Sequence, residues 1–304
     1  MPLTVTSLAC LAVAAAAALP TSPVVAPRPA DGYLLQYRFR TGETIRYAVE
    51  HEELFIASAG GVRDKQETET HTDRRYEVVD VADDGAMTLR FSLERARMQV
   101  VFDDGKPVAF DSKSPEEAPR QFAGVGKAIG RQLAEVRLAP DGTVKDVRPL
   151  LSPEELAEMP GLLGLGNDKN ADNNLFVVFP QRPIKIGEEW SHTFSIRVPI
   201  NNKLTQEVKI LSQYRLESVE NGVAAISVRT SPLTILTEPS LLVQIIRRTS
   251  SGTFHFDLEA GRMLGRTTKF DNMELGWAGA DSSLRVISTT TERIAAEQAK
   301  ISAR

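Results

Sequence analysis

The 304-residue chain has one cysteine, Cys10, few aromatic residues and only four histidines, and beyond its first thirty residues it has no long apolar run. Cys10 lies within an N-terminal apolar stretch that is expected to be removed. The remaining chain then has no disulfide, no thiol nucleophile and no cysteine-ligated metal. Basic residues are not in excess: 36 Lys and Arg face 40 Asp and Glu, a formal charge of −4. That balance argues against nucleic acid as a partner, because phosphate contacts need concentrated cations. No segment after the leader reaches the roughly 18 apolar residues that a membrane-spanning helix requires. At 42% hydrophobic and 25% charged, the composition is that of a globular protein able to bury a core.

Residues 1–27 carry no charged side chain, and Leu8 to Leu19 form an almost unbroken apolar run. This reads as a signal peptide over 1–18, with cleavage after Ala18 or as late as Ala26, followed by a Pro-rich tether over 19–32. The basic segment that usually precedes such a core is missing. Cys10 does not fit a lipidation site, because most of the apolar run follows it. The expected location is periplasmic or secreted.

From Tyr33 onward β-strand patterning dominates. Met87, Leu89, Phe91 and Leu93 alternate with polar residues, and the phase shifts near Arg95 and Ala96 to Met98 and Val100, which predicts a bulge. Phe254, Phe256 and Leu258 alternate in the same way. The halves echo one another. Thr41-Gly42-Glu43 before Ile45 matches Ile186-Gly187-Glu188 before Trp190, and the Tyr76 and Tyr214 runs each lead to a glycine turn. The hairpin at Asp141-Gly142 matches the one at Glu259-Ala260-Gly261.

These signals predict a mainly β fold: large antiparallel sheets from two β repeats, forming a sandwich or half-open barrel, with one or two amphipathic helices packed on or capping them. The first repeat spans 33–160 with inserted helices, a Gly/Asn-rich junction spans 161–174, and the second repeat spans 175–304. Net charge is −6 before residue 160 and +2 after it. Ser114-Pro115-Glu116-Glu117 has the form of a helix start, and Phe122, Val125, Ile129 and Leu133 recur at helical spacing, predicting an amphipathic helix over 115–132. Ser152-Pro153-Glu154-Glu155 opens a shorter one.

Candidate chemistry is sparse. His51, His71, His192 and His255 show no metal-ligand spacing, and no nucleophile elbow is present. Gly124-Val125-Gly126-Lys127-Ala128 lacks two of the defining residues of a phosphate-binding loop. Asp168, Asn170, Asp172 and Asn174 place oxygen ligands at alternate positions, as a calcium loop does, but the turn glycine and the final bidentate Glu are absent. They are the ligands to test if a cation binds. Phe122, Val125, Ile129 and Leu133 would line an apolar cavity between helix and sheet, with the 115–132 helix or the Pro160–Gly166 stretch as a lid.

The layout resembles exported bacterial families of unknown function built from two β repeats, and more weakly the periplasmic lipoprotein-carrier domains, over residues 33–295. With no catalytic motif found, the leading expectation is a non-enzymatic exported protein without cofactor, whose partner is an apolar small molecule or an envelope component. The alternatives are a structural or protein-interaction module with a filled core, and a hydrolase with an unrecognised site.

Overall fold

The computed structural model describes residues 31–157, 176–199, 204–236 and 239–295. Long alternating runs make long strands. β1 (Thr44–Ala59), β2 (Val62–Val81) and β3 (Met87–Phe102) are followed by the short β4 (Val108–Asp111), then β5 (Gln132–Leu138) and β6 (Val144–Pro149). The second half supplies β7 (Glu189–Pro199), β8 (Thr205–Glu220), β9 (Val223–Pro232), β10 (Ser251–Asp257), β11 (Arg262–Leu275) and β12 (Ser283–Ile294). All twelve join one antiparallel sheet in the order β6-β5-β3-β2-β1-β12-β11-β10-β9-β8-β7, with β4 also on β3. Of the two forms expected, the sheet takes the open one: it curls but does not close, and β6 and β7 are its edges.

The same local devices occur in both halves. Gly42, at φ +83°, donates its N–H to the Val78 carbonyl (2.8 Å), and Gly187, at φ +85°, donates to Leu216 (2.7 Å). The Glu43 carboxylate accepts from Arg40 N (3.0 Å), and Glu188 accepts from Lys185 N (2.9 Å). Ile45 stands opposite Tyr76 and Trp190 opposite Tyr214, and two residues beyond each tyrosine the register slips by one. β5–β6 slips at Leu138 and β10–β11 at Phe256. β12 lies between the halves, pairing with β1 on one side and β11 on the other.

One buried cluster draws on both halves. Tyr37 packs edge-on against Phe256 (5.2 Å between centroids) and stacks on Phe179 (5.4 Å), while Tyr76 tilts against Phe91 (5.2 Å). The predicted bulge in β3 is present, at Glu94: Leu93 and Arg95 face consecutive residues of β2, and burial passes from Leu93 to Ala96.

The helices differ from expectation. In place of a helix over 115–132, a 3-10 turn (Arg120–Phe122) leads into a six-residue helix, α1 (Ala123–Ala128), and β5 begins at Gln132. Pro119 is the reason. A helix from Pro115 would put a residue without an N–H in its first turns, and Gly124 and Gly126 add about 1 kcal/mol each of helix cost. Ser114 instead accepts from Glu116 N (3.3 Å) in a turn. Leu133 is therefore a fully buried strand residue. The second helix forms, as α2 (Pro153–Ala157), with a complete capping box: Glu155 N donates to Ser152 Oγ (3.2 Å) and Ser152 N to Glu155 Oε2 (2.9 Å). A third helix, α3 (Pro239–Ile245), continues into a 3-10 turn (Ile246–Arg248) between β9 and β10.

Candidate functional site: a roofed cleft in the trough

Register sets the shape of the site. Glu52, Thr289, Lys269, Ser251, Arg229, Gln213 and Ser191 form one row across β1, β12, β11, β10, β9, β8 and β7. β10 begins at this row, whereas β1 runs on to Ala59 and β7 to Pro199. At about 3.3 Å per residue, these walls rise on the order of 20 Å above the saddle at β10.

The α3 segment fills the gap between the walls as a strap. Leu241 and Ile245 pack on Phe194, Ile196 and Ile210 of one wall, and Ile246 packs on Ala57, Leu284 and Val286 of the other. Asn272 Nδ2 holds the strap's end, donating to Ile246 O (3.1 Å), Thr249 O (3.3 Å) and Thr249 Oγ1 (2.6 Å). Arg247 reaches down to Glu53 on β1 through two parallel hydrogen bonds of 2.8 and 2.7 Å, its guanidinium 5.9 Å from the Phe55 ring centre.

Beneath the strap lies a cleft of about 510 Å³. Its apolar lining is Phe176, Tyr214, Val228, Phe254 and Phe270, and its polar lining combines five hydroxyl residues, Thr230, Ser250, Thr268, Ser288 and Thr290, with His51, Glu53, Arg247 and Arg266. Thr230 Oγ1 donates to the Ser250 carbonyl (2.9 Å) and accepts from its N–H (2.7 Å), tying the strap's exit to β9. His51 Nδ1 lies 2.8 Å from Thr290 Oγ1, and burial lowers its pKa. Arg266 forms an ion pair with the buried Glu292 (2.7 Å). Burial is the largest influence on the Arg266 pKa and lowers it, but the charge and hydrogen bonding of Glu292, with Tyr76 and Tyr37, together outweigh it and the net direction is upward.

The sequence-predicted cavity residues lie elsewhere. Phe122 and Leu133 are buried in the main core, with Phe122 stacked 6.2 Å from Phe110. Val125 and Ile129 pack against the same cluster, and none of the four lines the roofed cleft. The segment over this cleft is α3, and no residue of 115–132 lines it. Pro160–Gly166 and the expected cation ligands Asp168, Asn170, Asp172 and Asn174 lie outside the described residues, as does the expected signal peptide over 1–18. Of the histidines, only His51 reaches the cleft; His71, His192 and His255 stand apart on β2, β7 and β10. Among the described residues no three His, Cys, Asp or Glu side chains cluster as metal ligands. No helix of the described chain is long and apolar enough to cross a membrane.

Residues 169–261 match a family of unknown function, DUF6263. That match covers β7 to β10 and the strap, and it agrees with the unknown-function family expected from the layout. No curated protein matches the sequence. Among solved structures, lipovitellin, studied for its lipid–protein interactions, is similar over 85% of this chain and 25% of its own, at 10% identity and a TM-score of 0.47. This chain thus spans about a quarter of lipovitellin. The translocator domain of the autotransporter NalP from Neisseria meningitidis is similar over 84% of this chain and 89% of its own, at 7% identity and a TM-score of 0.28. A DUF1329 family protein from Desulfovibrio piger follows at 12% identity and a TM-score of 0.13, over 83% and 84% of the two chains. Likenesses of this size transfer neither fold nor function.

Proposed function

We propose that the protein is an exported, non-enzymatic carrier that holds an apolar or envelope-derived small molecule in the cleft beneath the α3 strap. One observation carries this reading: a cleft of about 510 Å³ that ring faces line lies between the trough walls, under the short α3 segment. A cleft lined by ring faces with scattered hydroxyls suits an apolar ligand with a polar end. The neutral dye N-phenyl-1-naphthylamine, which brightens in apolar surroundings, tests it. Saturable binding that falls at least tenfold in Phe254→Asp is expected; fluorescence unchanged by the protein defeats the reading. Native mass spectrometry of the exported protein, gentle against denaturing, then identifies the natural ligand as mass lost on unfolding.

One feature favours an interaction module as the second reading. Val62, Phe102, Met273 and Leu275 on one wall, and Leu204, Leu233 and Ile235 near the other, are exposed at the same end of the sheet. Exposed apolar groups so concentrated mark contact surfaces. Self-association seen by sedimentation velocity, and lost in Leu275→Ser with Ile235→Ser, would favour it.

A further inference from the structure

We infer that the cleft selects uncharged amphiphiles, molecules with an apolar body and a hydroxyl, ester or carbonyl group, over fatty-acid anions and phosphate-bearing lipids. The inference rests on the carrier reading and deepens it.

The two cations that face the cleft, Arg247 and Arg266, are both committed. Arg247 forms a two-bond pair with Glu53, whose side chain is 10% exposed, and Arg266 pairs with Glu292, whose side chain is 3% exposed. An anionic headgroup entering this space would have to displace a carboxylate from its arginine, leaving that carboxylate buried and unpaired, or give up its hydration beside pairs whose fields cancel. Either course is unfavourable, because the desolvation of a charge is left without a compensating partner. A cationic headgroup meets the same obstacle from Glu53 and Glu292. A neutral group meets none, because each Ser or Thr hydroxyl can both donate and accept. Thr268, Ser288 and Thr290 line the wall between the two ion pairs, where such a group would sit.

The arrangement resolves into a charge test with two probes that differ in one group. cis-Parinaric acid and its methyl ester share a fluorescent apolar chain, and at pH 8 only the acid is charged. The full chain should bind the ester at least tenfold more tightly than the acid. Glu53→Gln keeps the shape of the side chain but frees the Arg247 guanidinium, so the ester-to-acid ratio should fall by about tenfold or more, chiefly through tighter binding of the acid. Acid binding as tight as the ester in the wild type overturns the inference while leaving the carrier intact. Binding of neither probe overturns the carrier reading and the inference together. If Glu53→Gln does not fold, as judged by circular dichroism, the wild-type comparison still decides.

Discussion

At the scale of single residues, two histidines and two glycines make checkable statements. Burial lowers the pKa of His51 and of His192 below the usual 6.5. Folding therefore favours the neutral imidazoles. Their contribution is full above the unfolded-chain value and is lost as pH falls through the lower folded-state values. Chemical denaturation between pH 7 and pH 5 should show declining stability, and His51→Gln with His192→Gln should flatten that slope. Gly142 and Gly60 both have positive φ, +86° and +59°, but only one is crowded. A Cβ on Gly142 would lie 2.1 Å from the Val177 carbonyl oxygen and 2.8 Å from the Tyr37 ring, whereas one on Gly60 meets nothing within 4 Å. Gly142→Ala should cost at least about 2 kcal/mol, through backbone strain and a collision with fixed backbone, and Gly60→Ala about 1 kcal/mol through strain alone. Thermal unfolding of the two variants measures the difference.

At the scale of elements, the strap is the part whose behaviour decides access to the cleft. Its apolar pegs hold it to both walls, and Asn272 fastens its end. Asn272→Ala removes the amide that donates to three acceptors on the strap and should speed amide exchange over 245–249 by about tenfold, the equivalent of about 1.4 kcal/mol. Exchange in β8 should stay unchanged. This is also where sequence reading stopped short. The strands, the β3 bulge and the α2 capping box were legible because each is written in nearest neighbours: period-two burial, a phase shift, a serine three residues ahead of a glutamate. The apolar spacing over 115–132 does not make a helix because Pro119 interrupts it. The strap's apolar residues, Leu241, Val243, Ile245 and Ile246, do not fall on one helical stripe, since they face two walls at once. No periodicity marks a segment of that kind, and the cleft beneath it is built from residues of six strands that only tertiary register brings together.

At the scale of the whole molecule, the halves share a core as well as a sheet, and this makes them interdependent. Tyr37 from the first half is enclosed by Phe256, Phe179 and Phe176, and the Tyr47 hydroxyl donates to the Met263 carbonyl (2.9 Å). Tyr76 is buried among these rings, which pushes its pKa up to about 12. Residues 31–157 expressed alone should therefore show no cooperative unfolding transition, a result that circular dichroism against denaturant would check. The placement of β12 has a consequence in time. The edge of β1 from Tyr47 to Ser58 is completed only by Ser283 to Ile294, so the middle of the sheet waits for the strand farthest from it along the chain. As the chain emerges, β1 is exposed as a bare edge until more than two hundred further residues have followed it. Loop closure of that span makes the final docking slow and leaves an interval in which a chaperone, or another nascent copy, can occupy the seam first.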